Sequence, residues 1–143
     1  SYLPAESTSR MFGGNSNWRG PIWFPMNVLL VQSINAYARF MGGTFTVPDP
    51  AGTGPEVTLI AVADDMADRL CAIFRRDDAG RRAVFGENDY FQSDPHWRDL
   101  VPFYEYFDGD DGHGLGASHQ TGWTSLVAKL ILQSSEYGSI DEV

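Results

Sequence analysis

The chain has 143 residues, the length of one ordinary domain, and is long enough to bury a sizeable hydrophobic core. Its formal net charge of −9 argues against nucleic acid as a partner, because phosphate binding depends on clustered Lys and Arg. No apolar run approaches the roughly 20 residues of a membrane span, and the first six residues lack the basic and apolar regions of a signal peptide.

The first helix is predicted to follow a loop, since Ser, Gly and Asn dominate residues 1–20. It begins at Pro21 or Pro25, because proline suits a first helical turn, and it ends at Met41, where Gly42-Gly43 supply a stop. Its apolar residues leave little room for a polar face. The helix is therefore expected to be buried nearly all round.

A second helix is predicted from Pro55 to about Arg76, after a connecting loop at 44–54, because apolar residues recur there at helical spacing. The single cysteine, Cys71, lies on this helix and is interpreted as a small buried side chain. Residues Arg81 to Gln92 are predicted to form a β-hairpin around the turn at 86–89.

The last third of the chain is predicted to contain an extended segment at 103–107, a Gly/Asp-rich loop at 108–116 and a final helix capped by Ser118. The elements describe a mainly α chain without an internal domain boundary. Three long helices do not close a core by themselves, so we expect that neighbouring elements are missing.

The extended segment Phe103-Tyr104-Glu105-Tyr106-Phe107 sets one carboxylate among four aromatic rings. In an extended backbone, Glu105 points to the same side as Phe103 and Phe107. Partial desolvation favours the protonated carboxyl group unless a cation compensates, and Arg19 is the candidate cation. Glu105 is then either an acid/base catalyst or a salt-bridged residue at a hairpin edge.

Three tryptophans, Trp18, Trp23 and Trp123, lie at predicted helix starts beside Asn, Arg and Gln side chains. Each could be a core residue, but their shared position favours one common pocket. A sugar would use all of them, because indole faces stack on the apolar face of a sugar ring and side-chain amides bond its hydroxyl groups.

Three other motifs suggest an ion or a cofactor and fail on inspection. The acidic loop at 108–114 suits calcium but does not match the ligand positions of an EF-hand. The run at 112–117 fits a relaxed dinucleotide fingerprint but lacks the βαβ unit. His96, His113 and His119 have no nearby cysteine to complete a zinc site. The sequence therefore predicts no metal and no cofactor.

Two stretches resemble glycoside hydrolase family 63, whose members include processing α-glucosidase I and bacterial α-glycosidases. They are Gly14-Asn15-Ser16-Asn17-Trp18-Arg19-Gly20-Pro21-Ile22-Trp23-Phe24-Pro25, and the block from Glu105-Tyr106-Phe107 through Gly114-Leu115-Gly116-Ala117-Ser118-His119-Gln120-Thr121-Gly122-Trp123. The resemblance implies an (α/α)₆ toroid, of which this chain is about a quarter to a third with a small β-hairpin insertion. It also implies hydrolysis with inversion at the anomeric carbon.

The resemblance implies that Glu105 is the general base that activates water. The residues lining the sugar subsite next to the scissile bond would be Trp18, Trp23 and Gln120. Arg19 and His119 are added as substrate-binding residues from their positions alone. Inversion needs a second carboxyl group about 6.5 to 9.5 Å from the first, and such a family places this general-acid Asp far upstream. We therefore expect residues 1–143 to be a C-terminal fragment that carries the base and lacks the acid.

The implied substrate is an oligosaccharide or a small glycoside, such as an α-glucoside, and self-association through exposed toroid helices is expected. Two alternatives stay open. One is a non-catalytic carbohydrate-binding module that keeps the stacking residues. The other is a small helical interaction domain whose exposed apolar faces bind a partner.

Overall fold

Three helices form the frame of the computed structural model, which describes residues 2–8, 18–52 and 54–137. They are α1 (Phe24–Met41), α2 (Leu59–Ala72) and α5 (Leu126–Tyr137). The shorter helical elements are a 3₁₀ turn (Ala83–Phe85), α3 (Asp89–Ser93) and α4 (Thr121–Thr124). Two antiparallel pairs join β1 (Thr46–Val47) to β2 (Val57–Thr58) and β3 (Tyr106–Phe107) to β4 (Gly114–Leu115). The predicted mainly α class is confirmed, and the toroid stays a prediction.

The core lies where α1, α2 and α5 pack against one another. At its centre Phe24, Phe74 and Phe107 meet edge to face, with ring centroids 5.3 to 5.7 Å apart. This geometry is favoured because the positive edge of one ring faces the negative face of the next. Cys71 is fully buried beside them, as predicted, and burial raises the pKa of its thiol.

The first helix begins at Phe24 with Pro25 in its first turn and ends before Gly42, in agreement with the sequence. The prediction that it is buried nearly all round is wrong. Its core-facing residues are Phe24, Val28, Val31 and Ala38. The opposite side exposes large apolar side chains, among them Tyr37 at 66% and Phe40 at 85%. None of the helices in the described ranges is long and apolar enough to cross a membrane.

The second helix begins at Leu59 and not at Pro55. Thr58 is its N-cap, and the Thr58 hydroxyl oxygen accepts a hydrogen bond from the Ala61 N–H at 3.2 Å. The preceding residue, Val57, pairs with Val47 in the sheet. The chain therefore stays extended until the threonine cap satisfies one of the free N–H groups of the first helical turn.

The predicted β-hairpin insertion at 81–92 is wrong, because this segment forms the 3₁₀ turn and α3. Asn88, predicted as a turn residue, caps α3. The buried side-chain amide of Gln92 takes the place of a paired strand: it accepts from Arg82 N–H at 2.9 Å and donates to Arg82 O at 2.8 Å. It also donates to Gly86 O at 3.0 Å.

The final helix does not begin at Ser118. The Ser118 hydroxyl group bonds the His119 ring at 2.7 Å, and Gln120 is the N-cap of α4. The helical stretch is divided at Ser125 into α4 and α5. The predicted single helix is therefore two.

The N-terminal segment at residues 2–8 lies across the loop after β3. Gly109 N–H donates to Pro4 O at 2.6 Å, and the Tyr2 hydroxyl donates to Asp110 Oδ1 at 3.0 Å. A Cβ on Gly20 would lie 1.5 Å from Leu3 O, and one on Gly109 would lie 2.4 Å from Gly20 O. Glycine at position 20 allows the segment to pass, and glycine at position 109 allows the loop after β3 to approach the backbone of Gly20.

The Gln92→Ala substitution should lower the free energy of unfolding by about 1–3 kcal/mol, because it removes the Gln92 acceptor of the Arg82 N–H and one of the two donors to Arg82 O, which keeps its hydrogen bond from Phe85 N–H. Urea denaturation measures the change. Ser93→Ala removes an exposed hydroxyl group from the same helix and should change stability by less than about 0.5 kcal/mol. Equal effects of the two substitutions would contradict this role of Gln92.

Candidate active site

A pair of reciprocal backbone hydrogen bonds joins the entrance of α1 to β3. Ile22 N–H donates to Phe107 O at 2.8 Å, and Phe107 N–H donates to Ile22 O at 3.0 Å. Trp23 is therefore held beside Tyr106, while Phe24 is held against Phe107 in the core.

Four aromatic rings form what we call the indole cluster: Trp18, Trp23, Tyr106 and Trp123. Trp23 is at its centre and is 7% exposed. It stacks on Trp18 at 4.2 Å with an interplanar angle of 5°, and on Tyr106 at 4.7 Å. Trp123 meets it edge-on at 5.4 Å. The three indoles named from the sequence thus lie together, and their contact with a sugar stays a prediction.

Two hydrogen bonds hold α4 in place and with it Trp123. Gln120 N–H donates to Phe103 O at 2.7 Å. The hydroxyl group of the fully buried Thr124 donates to Tyr104 O. The segment before β3 therefore positions both ends of this short helix.

Glu105 lies half-buried at a bend before β3, so the segment 103–107 is not one extended strand. Its Oε2 accepts a hydrogen bond from Ala117 N–H at 3.2 Å. A Cβ on Gly116 would lie 2.7 Å from this oxygen and 2.7 Å from a ring carbon of Tyr106. The carboxylate and the edge of the indole cluster therefore share one small space, and Gly116, at φ +68°, keeps it open.

The remaining predicted residues lie around this space. Arg19 and Glu105 both lie in the described part of the chain, and they form no ion pair. Arg19 is exposed, so the predicted cation does not compensate this carboxylate. Gln120 is partly buried at the start of α4. His119 is exposed and lines a different cleft, beside Tyr104 and Ser118.

Sequence reasoning missed two members of the site, Tyr106 and Glu6. The Tyr106 hydroxyl donates to Glu6 Oε1 at 2.9 Å, across a sequence separation of 100 residues. Burial, the hydrogen bond to Glu6 and the charges of Glu6 and Glu105 raise the pKa of Tyr106 to about 12. No local pattern in the sequence signals this pair, because its partners are far apart along the chain.

The acidic loop forms a tight turn. Asp108 is 6% exposed, and its Oδ1 accepts from the N–H groups of Asp110 and Asp111 at 2.8 and 3.2 Å. Asp111 Oδ1 accepts from His113 N–H at 2.9 Å. Asp108, Asp111 and His113 could each offer a metal ligand atom within 4.8 Å of the others. The absence of a metal from this loop stays a prediction.

Glu6→Gln should lower the pKa of Tyr106 from about 12 toward the ordinary 10.0, because burial then acts without the neighbouring charge. The folded chain keeps this proton at a pH where the unfolded chain releases it, so stability falls as pH rises from 10 to 12. The substitution should reduce that fall. Tyrosinate absorbance during a pH titration measures the shift in the pKa of Tyr106. The same titration of the Tyr106→Phe variant identifies which part of the absorbance change belongs to Tyr106. An unchanged titration of Tyr106 would rule out the coupling.

Comparison with known proteins gives the site a context. No family model matches the chain. The chain is 52% identical over 132 residues to the uncharacterized protein YMR196W of Saccharomyces cerevisiae, covering 91% of this chain and 12% of that protein.

Two glucosidases are also similar. The chain is 30% identical over 122 residues to the mannosyl-oligosaccharide glucosidase of Saccharomyces cerevisiae, covering 84% of this chain and 11% of the enzyme. It is 25% identical over 122 residues to a probable mannosyl-oligosaccharide glucosidase of Schizosaccharomyces pombe, covering 85% of this chain and 11% of that protein. The chain thus spans 11% to 12% of the length of the curated relatives it matches. Over most of its length it is distantly related to glycoside hydrolases of the mannosyl-oligosaccharide glucosidase type.

Proposed function

We propose that the chain forms part of the active site of an inverting α-glycosidase, an α-glucosidase of the family 63 type, and supplies its general base and its sugar-stacking rings. One observation carries the proposal: indoles from two distant parts of the chain meet beside Tyr106 and the carboxylate of Glu105. The similarity to mannosyl-oligosaccharide glucosidases supports the same reaction class.

The indole cluster would bind the sugar ring. Trp18 is 59% exposed while its stacking on Trp23 fixes the plane of its ring. A fixed, exposed indole face takes the apolar face of a sugar at little cost in conformational entropy. The side-chain amide of Gln120, at the start of α4, would bond the hydroxyl groups. The reaction needs no cofactor.

Glu105 would act as the base. Among the described residues, Ala117 N–H is its one hydrogen-bond donor, so the carboxylate keeps acceptor capacity for a water molecule. In hydrolysis the water oxygen attacks the anomeric carbon while its proton passes to Glu105, and the bond to the leaving sugar breaks as the leaving oxygen takes a proton from a general acid.

The general acid would come from another part of a longer enzyme. Inversion requires it about 6.5 to 9.5 Å from the base. The nearest carboxyl groups along the chain hold the turn, since Asp108 and Asp111 bind backbone N–H groups and Asp110 binds Tyr2. We propose that the chain is about a quarter to a third of an (α/α)₆ toroid, consistent with its being a small share of the relatives' length.

Glu105→Gln, made in that longer enzyme, should lower kcat on an α-glucoside by about 10²- to 10⁴-fold with little change in KM, because the amide cannot take the proton. Glu87→Gln, the same change at an exposed glutamate, is the matched control. Azide should restore the rate of Glu105→Ala and yield the β-glycosyl azide, since azide needs no deprotonation. Full activity of Glu105→Gln together with intact sugar binding would leave the chain a non-catalytic carbohydrate-binding module.

The exposed apolar side of α1 supports packing against further helices of the toroid. The isolated chain should therefore self-associate. Phe40→Ser should weaken this association without loss of stability, because the Phe40 side chain is 85% exposed and contributes little to the packing of the folded chain. Sedimentation velocity measures the first effect and urea denaturation the second. A compact monomer at all concentrations would contradict the packing proposal.

A further inference from the structure

Two pairs of arginines meet at a cleft, which we call the arginine cleft, between the end of α2 and the 3₁₀ turn at Ala83–Phe85. Arg75, Arg76, Arg81 and Arg82 are among its lining residues. Its volume is about 650 Å³, within the range of about 300–1,000 Å³ for small-molecule sites. The chain has only 10 Lys and Arg residues against 19 Asp and Glu, so this one cleft concentrates a large share of its positive charge.

A tight turn brings the two arginine pairs together. Gly80 N–H donates to Asp77 O at 2.8 Å, and Asp77 N–H donates to Arg81 O at 2.8 Å. Arg76 and Arg82 therefore lie opposite each other in an isolated antiparallel bridge. Like charges directly opposite each other on paired backbones are destabilising. An anion bound between them would remove that repulsion.

Arg82 differs from the other three arginines, because it forms no ion pair within the part of the chain that the structure describes. Burial and the charge of Arg76 lower the pKa of Arg82, with an opposing contribution from Asp99. A guanidinium group nevertheless stays charged in proteins. The other three pair with carboxylates outside the cleft lining: Arg75 with Asp68 at 3.7 Å, Arg76 with Asp99 at 2.9 Å and Arg81 with Asp89 at 3.0 Å.

One edge of the Arg82 guanidinium group lacks hydrogen-bond acceptors. Its Nη1 donates to Phe74 O on the other edge. Its Nε is the one buried side-chain polar atom without a hydrogen bond among the described side chains, and Nη2 has no partner there either. Buried donors in native proteins are almost always bonded, because an unbonded one is destabilising. Nε and Nη2 together form the planar fork that binds two oxygens of one oxyanion.

Three carboxyl groups also line the cleft, and two of them already accept hydrogen bonds. Asp77 Oδ1 accepts from Arg81 N–H at 2.8 Å, and Asp111 Oδ1 accepts from His113 N–H at 2.9 Å. Glu87 is the third, and its side chain is exposed. None of the three forms an ion pair with a lining arginine in the described ranges. The positive charge of the cleft is therefore not cancelled from within.

We propose that the arginine cleft binds a phosphate group, either on a small phosphorylated molecule or as the free ion. A phosphate group presents three or more oxygens and up to two negative charges to several guanidinium groups at once. A carboxylate presents two oxygens and one charge. The net charge of −9 opposes the approach of a nucleic acid, whereas a small molecule needs only the local charge of the cleft. This site is independent of the proposed hydrolytic reaction.

The test is a titration of the 143-residue chain with inorganic phosphate at constant ionic strength, followed by isothermal titration calorimetry. We expect saturable binding of one phosphate per chain. Acetate should bind at least about tenfold more weakly, because it makes fewer charged hydrogen bonds. Glycerol 1-phosphate distinguishes the two sources: tighter binding than inorganic phosphate indicates a phosphorylated molecule, and weaker binding indicates the free ion. The absence of saturable phosphate binding, or acetate binding of equal strength, would overturn the proposal.

Substitutions locate the binding site. Arg82→Gln should weaken phosphate binding at least about tenfold, because it removes the free guanidinium edge. Arg82 also bonds Phe74 O, so the half-exposed Arg75→Gln, with an expected loss of about threefold to tenfold, decides the question if Arg82→Gln does not fold. Arg69→Gln is the matched control: it removes the same charge from a similar ion pair, with Asp65 at 3.6 Å, outside the cleft. Equal losses for Arg75→Gln and Arg69→Gln would reduce the effect to net charge and contradict a site in this cleft.

Discussion

The two backbone hydrogen bonds between Ile22 and Phe107 join the hydrophobic core to the candidate site. Because successive residues of an extended backbone point to opposite sides, one register fixes two sets of contacts. Phe24 and Phe107 turn inward and complete the core between the helices. Trp23 and Tyr106 turn the other way and stack at the centre of the indole cluster. The stability of the core and the geometry of the site thus depend on the same pair of bonds.

The carboxylates around the site divide into two groups. The aspartates of the loop after β3 accept hydrogen bonds from nearby N–H groups or the Tyr2 hydroxyl, and Asp108 is almost fully buried in doing so. Glu105 accepts one hydrogen bond within the part of the chain that the structure describes, from Ala117 N–H, and it lies near a ring of the cluster. An acidic composition alone does not distinguish these roles. The distinction comes from which oxygens the backbone already occupies, and it supports Glu105 over the aspartates as the proposed base.

Sequence patterns predicted the features set by local chemistry. The bounds of α1 follow from Pro25 and Gly42. The meeting of the indoles is a contact between distant residues that the sequence nevertheless predicts, because all three lie at predicted helix starts. The failures involve side chains that replace backbone partners or contacts between distant residues. Gln92 satisfies Arg82 with its amide, which no strand or helix pattern reveals. Apolar periodicity on α1 likewise says which residues are hydrophobic but not whether a neighbour covers them.

The passage of the first residues past Gly20 and Gly109 makes the site sensitive to positions that touch no ring. A side chain at Gly20 would displace the backbone at Leu3, and one at Gly109 would displace the backbone at Gly20 on which Leu3 lies. Either shift would move the segment that carries Glu6, whose carboxylate bonds Tyr106. Both glycines are only partly buried, so solvent exposure would class them as tolerant to change. In a mutational survey they should instead rank with core positions, since the constraint is the space for a crossing chain rather than contact with ligand or hydrophobic packing.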